Sequence, residues 1–385
     1  MRDLPRILLA CCLAAPAALA ADDDHAKPGQ RFAVGDLEIG LTLEAGLGLF
    51  SVANAQNGLG SLSSHGQRQG GRRWVEGFIT PGLDGEYLLN DTTLYGAVKL
   101  TGSATRGDGE AQRNSVTDMQ PDAFGLSEAY LGWKSGLVFA ALGEDAIDLS
   151  AGRQGFVIGD GFLVADGTLD SFRRNNHVLG PRGAFDRTAI LRLNTAPVRA
   201  DLFHLESNTD QHYMRGKDSA ATQLNGGNIE WFASSHRDHG RSDYEERQWY
   251  LGATMLSLTD ADRAISPGRD GMDVYALRAG GALLSGLGEG WQDLALYSEV
   301  ARQRNDTAGR RLRADAWYVE PQYTFSALPC SRASVIGTCI SAATTTATTG
   351  STITGIRCSP AAVRAVTAPG TWARFTLAMS AAIPT

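Results

Sequence analysis

The residues best suited to bind a charged solute are seven arginines that lie close together in the chain, with carboxylates among them. The planar guanidinium group donates two parallel hydrogen bonds to a carboxylate. Such a stretch can therefore hold acidic groups of a solute or pair with acids of its own chain, and the sequence leaves both roles open. The arginines are Arg153, Arg173, Arg174, Arg182, Arg187, Arg192 and Arg199, and the acids among them include Asp160, Asp166, Asp170, Asp186 and Asp201.

Residues that could support other chemistry lack the partners that this chemistry needs. His236 and His239 have the spacing of two metal ligands, but no third ligand lies near them in the sequence. The acids from Asp160 to Asp170 lack the spacing of an EF-hand calcium loop. His204 has no convincing serine and carboxylate with which to form a hydrolase site. We therefore expect no metal, no cofactor and no catalytic residue.

Strands must position these arginines, because polar and apolar residues alternate over long stretches. From Asp36 to Phe50 every odd position carries Leu, Ile or Ala, and the even positions are mostly polar residues or glycine. A period of two indicates a β-strand, and a strand of about 9 to 11 tilted residues crosses a bilayer. Further runs of this kind lie at 94–101, 128–134, 147–151, 188–193, 198–206, 227–233, 248–258, 272–279, 293–302 and 314–325.

The connections between these strands are of two kinds, which predicts a transmembrane barrel. Residues 194–197 form a short turn, whereas 102–125 and 208–226 are long and polar. Outer-membrane barrels alternate short periplasmic turns with long external loops. We therefore expect an all-β fold, a transmembrane antiparallel β-barrel, with a soluble β-sandwich or a secreted β-rich enzyme as the alternative. Aromatic residues near strand ends suit the membrane interfaces, although each could equally belong to an ordinary core. They are Trp74, Tyr87, Trp133, Trp231, Trp249, Tyr250, Trp317 and Tyr318.

The first residues of the chain predict export from the cytoplasm. A basic start is followed by an apolar run from Ile7 to Leu19 and by a small-x-small motif that ends at Ala20. Residues 1–20 are therefore predicted to be a cleaved signal peptide, with a lipoprotein signal ending at Cys11 as the alternative. No later stretch reaches the roughly 18 apolar residues of a membrane helix. The formal net charge of -7 argues against nucleic acid as a partner.

From residue 329 to residue 385 the composition changes. This tail lacks Asp, Glu, Lys and Tyr, is rich in Ala and Thr, and contributes no predicted membrane strand. Ala and Thr codons rich in G and C become Gly, Asp and Arg codons one nucleotide earlier, and residues 332–350 can then be re-read as PRLGYRYLHFSGDDNRDDR. We infer a frameshift near residues 328–331, with a disordered Ala/Thr-rich extension as the alternative. The nucleotide sequence distinguishes the two.

Two segments resemble the alginate export family of outer-membrane porins. One is the strand Ile147 to Gln154 with the turn Gly159 to Gly161, and the other is the strand pair formed by 294–299 and 314–318. The resemblance covers residues 32–325 in layout. It implies a barrel domain over residues 21–328, with about 18 strands in the family and fewer intact strands in this chain.

The resemblance also implies what passes through the barrel. An arginine-rich lumen would conduct an acidic polysaccharide such as alginate, or a smaller sugar or organic acid, by diffusion or with a periplasmic export complex. The alternation turns Arg192 and Arg199 into the lumen and places Arg153 nearer the rim. The acidic net charge leaves neutral sugars and aromatic acids open as solutes.

The expected location is the outer membrane of a Gram-negative bacterium, where lipid surrounds the barrel. The alternatives are a barrel that hydrolyses lipid and a non-conducting structural or adhesive barrel. The residues assigned to the solute pathway are Arg153, Arg173, Arg174, Arg182, Arg187, Arg192, Arg199, Asp160 and Asp170.

Overall fold

The computed structural model shows a chain built of β-strands that are joined by turns and loops. No helix in the described part of the chain is both long enough and apolar enough to span a membrane. The predicted signal peptide lies outside the described residues. These are 31–52, 61–62, 68–69, 72–108, 122–159, 161–165, 176, 179–180, 184–207, 222–232, 249–261, 269–282, 288, 291, 294–306, 312–324, 334–337, 340–347, 352–357, 362–368 and 371–376.

Eighteen strands form one sheet, and two further strands of two residues each, β3 and β4, pair only with each other. The strands are β1 Arg31–Val34, β2 Leu37–Val52, β3 Ser61–Leu62, β4 Arg68–Gln69, β5 Arg72–Leu89, β6 Thr92–Gly107, β7 Asp122–Lys134, β8 Ile147–Arg153, β9 Arg187–Asn194, β10 Val198–Glu206, β11 Gln223–Phe232, β12 Tyr250–Thr259, β13 Met272–Gly280, β14 Leu294–Asn305, β15 Leu312–Thr324, β16 Ser334–Gly337, β17 Ile340–Ala347, β18 Thr352–Arg357, β19 Ala362–Ala368 and β20 Thr371–Thr376.

The sheet follows the order of the chain. β2 pairs with β5, and from β5 to β15 every strand pairs antiparallel with the next one. β1 folds back on β2 through a turn at Gly35, whose φ of 63° is a left-handed conformation that glycine adopts without strain. The predicted all-β antiparallel fold is confirmed over β1, β2 and β5–β15.

Side chains alternate between an apolar outer face and a polar inner face. On the outer face Leu43, Leu47 and Leu131 are 68%, 72% and 76% exposed. On the inner face the carboxylates Glu230 and Glu299 are each 1% exposed. A protein in water buries leucine and exposes glutamate, whereas a barrel in lipid turns leucine toward hydrocarbon and polar groups toward its lumen. The fold is therefore a transmembrane β-barrel, as predicted.

The two ends of the barrel differ in their connections. At one end, called the turn end, residues 90–91 join β5 to β6 and residues 195–197 join β9 to β10. At the other end, called the loop end, residues 108–121 join β6 to β7 and residues 154–186 join β8 to β9. The contrast is incomplete, because the twelve-residue connection 135–146 between β7 and β8 also lies at the turn end. Short turns at one end and long loops at the other are typical of outer-membrane barrels.

One long strand, β5, was not predicted from the sequence, because the alternation of polar and apolar residues is obscured in it. Its inner face carries Trp74 and Phe78, which are buried, so that apolar residues occur on both of its faces. The predicted loop 102–125 is also wrong at both ends, because residues 102–107 extend β6 and residues 122–125 begin β7.

The inner face accepts aromatic rings that were predicted to lie at the membrane interfaces. Trp74, Tyr250 and Tyr318 are 5%, 2% and 3% exposed and point inward. Tyr87 and Trp231 are 41% and 42% exposed on the outer face, where the prediction placed them. An aromatic residue near a strand end therefore does not by itself reveal which face it occupies.

The tail does contain strands, although none was predicted there. β16 to β20 are four to eight residues long. β15 pairs with both β16 and β17, so the tail continues the sheet along two stretches of one strand. Each tail strand is shorter than the about 9 to 11 residues that cross a bilayer. Thirteen strands of the sheet precede residue 329 and five follow it.

The apolar outer face predicts that a charged side chain placed at the middle of the membrane lowers the stability of the protein. Leu43 lies near the centre of β2 and is 68% exposed on the lipid side. We expect Leu43→Arg to lower the free energy of unfolding from lipid vesicles by about 2–4 kcal/mol, because an arginine there lies in hydrocarbon. Leu43→Met is the control and should change it little. Equal stability of the arginine and methionine variants in a urea titration would contradict the assignment of this face to lipid.

Candidate functional site

The connection between β8 and β9 folds into the barrel. Phe156, Ile158 and Val164 in this connection are 3%, 2% and 2% exposed. Burial of each such side chain contributes about 1.5–3 kcal/mol, so together they hold the connection on the inner wall. Their apolar neighbours on β9, β10, β12 and β13 are Ile190, Phe203, Leu205, Leu256, Leu258, Met272 and Val274.

The part of the connection that follows β8 is a narrow backbone hairpin. The amide of Ile158 donates a hydrogen bond to the carbonyl oxygen of Val164 over 3.0 Å. Gly159 and Gly161 have φ angles of 60° and 86°, which favour glycine at this bend. A Cβ atom at Gly159 would lie 3.2 Å from Cδ of Arg278. The bend of the hairpin therefore rests directly on a charged side chain of β13.

The same connection also reaches β5 and β6. The side-chain amide of Asn176 donates to the carbonyl oxygen of Gly77 over 2.9 Å and accepts a hydrogen bond from Thr105 over 3.1 Å. The backbone amide of Leu179 donates to Oε2 of Glu76 over 2.8 Å. The described residues of the connection therefore lie against two separate parts of the inner wall, β5 and β6 on one side and β9, β10, β12 and β13 on the other.

Closer to the turn end than this connection, charged side chains form a row along the inner wall. Oη of Tyr95 on β6 donates to Oδ1 of Asp148 on β8 over 2.5 Å. Arg192 on β9 lies 3.5 Å from Asp148 and 3.8 Å from Asp201 on β10. Arg199 on β10 lies 3.6 Å from Asp201. Acid and base thus alternate from strand to strand.

The row continues across the next three strands. Asn228 on β11 donates to Oδ2 of Asp201 over 2.9 Å, and Thr254 on β12 donates to Oδ1 of Asn228 over 3.1 Å. Arg278 on β13 donates to Oγ1 of Thr254 over 2.7 Å and to Oε1 of Glu230 over 2.5 Å. We call the connected side chains the luminal belt: Tyr95, Asp148, Arg192, Arg199, Asp201, Asn228, Glu230, Thr254 and Arg278.

Two glycines allow long side chains of the belt to pass over an intervening strand. Tyr95 reaches from β6 to β8 across Gly132 of β7, where a Cβ atom would lie 2.2 Å from its ring. Arg278 reaches from β13 to β11 across Gly252 of β12, where a Cβ atom would lie 2.8 Å from its Nε. The belt therefore depends on the absence of a side chain at these two positions.

The structure brings together two of the arginines that the sequence assigned to the solute pathway. Arg192 and Arg199 face the lumen, with side chains 25% and 21% exposed. Arg153 has the outward parity of Leu149 and lies at the rim, where it binds Asp186 over 2.7 Å. Arg187 also lies outward at the loop end, 73% exposed. The other assigned residues, Arg173, Arg174, Arg182, Asp160 and Asp170, lie outside the described residues.

Sequence reasoning missed Arg278 and Glu230, the most buried ion pair of the belt. Arg278 stands between Leu277 and Ala279, so the parity argument that selected Arg192 also selects it. Glu230 stands between Ile229 and Trp231 and satisfies the same test. Both lie far from the arginine-dense stretch, and density in the sequence does not reveal which strands share a lumen.

The candidates for metal binding and hydrolysis are only partly covered by the described residues. In the described part of the chain, no group of three or more His, Cys, Asp or Glu side chains is arranged to hold a metal ion. Nδ1 of His204 lies 2.7 Å from the side-chain oxygen of Asn225 on the outer face. His236 and His239 fall outside the described residues.

No protein-family model and no curated protein matches the chain. Among solved structures, Salmonella typhi OmpF in complex with daunomycin is similar at 14% identity and a TM-score of 0.42, covering 84% of this chain and 85% of that one. The outer membrane protein OpdK from Pseudomonas aeruginosa is similar at 14% identity and a TM-score of 0.35, covering 84% of this chain and 86% of that one. A BenF-like porin from Pseudomonas fluorescens is similar at 11% identity and a TM-score of 0.35, covering 82% of this chain and 83% of that one. With TM-scores this low, the fold assignment rests on the strand registers and on the two faces of the sheet.

The luminal belt predicts that breaking a buried ion pair costs far more unfolding free energy than breaking an exposed one. Arg278 and Glu230 are each 1% exposed, whereas Arg302 and Asp315 on the outer face are 73% and 52% exposed. We expect Arg278→Met to cost about 3–5 kcal/mol of unfolding free energy, because it leaves a buried carboxylate uncompensated. Arg302→Met is the matched control and should have little effect.

The same prediction has a compensating variant. Removing both charges with Arg278→Met and Glu230→Met should recover most of the lost stability, because no buried charge is then left alone. Unfolding is followed in lipid vesicles by intrinsic fluorescence. If Arg278→Met and Arg302→Met are equally mild, the belt does not stabilise the barrel in this way.

Proposed function

We propose that the chain is a passive channel in the outer membrane of a Gram-negative bacterium, exported by means of the predicted signal peptide. Small polar solutes diffuse through the barrel along their concentration gradient and pass the connection between β8 and β9 at its narrowest part. The observation that carries the proposal is this connection, whose described residues are anchored on two separate parts of the inner wall. A structural or adhesive barrel gains nothing from a loop across its lumen, whereas a selective channel requires a narrow point.

The charges of the luminal belt favour neutral, hydroxyl-rich solutes such as sugars over a polyanion. Arg192, Arg199 and Arg278 lie 3.5, 3.6 and 2.5 Å from a carboxylate of the barrel itself. Their positive charge is largely compensated before any solute arrives, so the belt presents paired donors and acceptors. Such a wall suits sugar hydroxyl groups, which donate and accept hydrogen bonds.

The resemblance to the alginate export family supports a second solute class, an acidic polysaccharide delivered by a periplasmic export complex. Uncompensated arginines would be required for it along the pathway. Among the three arginines of the luminal belt, Arg192 has the most exposed side chain, at 25%. It is therefore the described belt residue that supports this class best.

Conductance in planar lipid bilayers tests the proposal directly. We expect the purified mature protein to give discrete ohmic current steps, and a neutral oligosaccharide to reduce them more strongly than alginate at the same sugar concentration. Block by alginate alone would favour the polysaccharide class. Electrical silence together with lipase activity in detergent would overturn the channel proposal in favour of a hydrolase.

Weakening the anchor of the infolded connection should widen the channel. We expect Phe156→Ser with Ile158→Ser to raise the single-channel conductance, because about 1.5–3 kcal/mol of apolar anchoring is lost at each position. Leu202→Ser is the matched control, since Leu202 is apolar but 61% exposed on the outer face. It should leave the conductance unchanged. Equal conductance of the anchor variant and the control would show that the connection does not limit flow.

A further inference from the structure

The outer face of the barrel is charged at one end only. In strands β2 and β5–β15, no outward position among the last four residues at the turn end carries a charged side chain. Typical residues there are Leu94, Leu193, Trp231 and Leu296. At the loop end, exposed arginines occupy outward positions on five strands. These residues, here called the arginine belt, are Arg73, Arg106, Arg187, Arg302, Arg304 and Arg313.

The guanidinium groups of the arginine belt remain open to their surroundings. The side chains of Arg106, Arg187, Arg302 and Arg304 are 59%, 73%, 73% and 58% exposed. An arginine has five N–H donors, and a carboxylate neighbour occupies at most two of them in a bidentate pair. Each of the four therefore keeps donors free while a neighbour holds it in place. The carboxylate neighbours are Asp122, Glu206, Asp315 and Asp306.

Positive charge is densest on the outer face of β14 and β15. Arg304 stands directly opposite Arg313, and Arg302 stands directly opposite Asp315 one step further along the same face. Like charges directly opposite each other on one face are unfavourable unless an anion lies between them. Arg313 has no ion-pair partner within the described part of the chain. Trp317, 39% exposed, follows on the same face toward the turn end, where an aromatic ring suits the edge of the hydrocarbon.

We propose that the arginine belt binds phosphorylated headgroups of the lipid leaflet at the loop end, most strongly at the cluster of Arg302, Arg304 and Arg313. Charge complementarity identifies the occupant. Guanidinium groups form bidentate hydrogen bonds with phosphate oxygens. The arginine belt lies where the apolar band of the outer face gives way to polar surface. The turn end offers no such groups, so the barrel distinguishes the two leaflets. The proposal depends on the fold and is independent of what the channel conducts.

Binding of a diphosphorylated glycolipid, lipid A, to the folded mature protein in neutral detergent micelles tests this proposal. Native mass spectrometry gives the dissociation constant for lipid A and for its enzymatically dephosphorylated form. We expect the phosphorylated form to bind the unaltered protein more tightly, with an affinity that falls as salt rises. The triple variant Arg302→Gln, Arg304→Gln and Arg313→Gln should bind it roughly a hundredfold more weakly, at about fivefold per arginine.

Arg31→Gln is the control, because Arg31 is 44% exposed but lies toward the lumen beside Glu38. It should bind lipid A as the unaltered protein does. If the triple variant does not fold, the comparison of the two glycolipids on the unaltered protein still decides the question, and equal affinity overturns the proposal. A triple variant that binds lipid A normally but loses a dimer in size-exclusion chromatography would instead make this face a contact between two copies of the chain.

Discussion

The constraint on which the rest of this structure depends is that hydrocarbon cannot hydrogen-bond to a peptide group. Every backbone N–H and C=O that crosses the bilayer must pair with a neighbouring strand, since each unpaired group costs several kcal/mol. The antiparallel pairing from β2 through β5 to β15, with a register shift between β6 and β7 at Lys99 and Leu100, satisfies this requirement strand by strand. Once the backbone is paired in this way, each side chain has only two directions, toward lipid or toward the lumen. The alternation of the sequence follows from that choice.

A polar inner face creates a second problem, because charges within the barrel are partly removed from water. The luminal belt solves it by placing an opposite charge close to each charged group, on the same strand or on a nearby one. Asp201, which is 2% exposed, lies near Arg192 and Arg199 and accepts a hydrogen bond from Asn228. Leaving any of these charges alone would be costly. The luminal belt is thus a structural requirement of the barrel and, in the proposed channel, also the surface that a solute meets.

The β-barrel fold could be predicted from the sequence because membrane strands impose a strict period of two. Runs such as 36–50 and 272–279 carry that period without help from tertiary structure. β5 was missed because Trp74 and Phe78 occupy its luminal face, where the partly filled lumen accepts aromatic rings. A period of two in sequence can identify two faces, but it cannot show that one of them is covered by another part of the chain.

The candidate site was only partly predictable for a related reason. Parity placed Arg192 and Arg199 in the lumen, and the structure shows them there. The pairing of Arg278 with Glu230 depends on two strands that are separated by a third, and on Gly252 between them. The placement of Phe156, Ile158 and Val164 on the inner wall depends on apolar contacts with strands β9, β10, β12 and β13. Neither feature leaves a local pattern that reasoning along the chain could detect.

The alternation itself can be measured by placing a nitroxide spin label at each position from Leu41 to Leu47 in protein reconstituted into lipid vesicles. Oxygen partitions into hydrocarbon, whereas a neutral nickel chelate remains in water. Leu41, Leu43, Ala45 and Leu47 are predicted to be accessible to oxygen, and Thr42, Glu44 and Gly46 to the nickel chelate, with a period of two. Uniform accessibility to the nickel chelate, or a period other than two, would contradict the transmembrane barrel and every inference that rests on it.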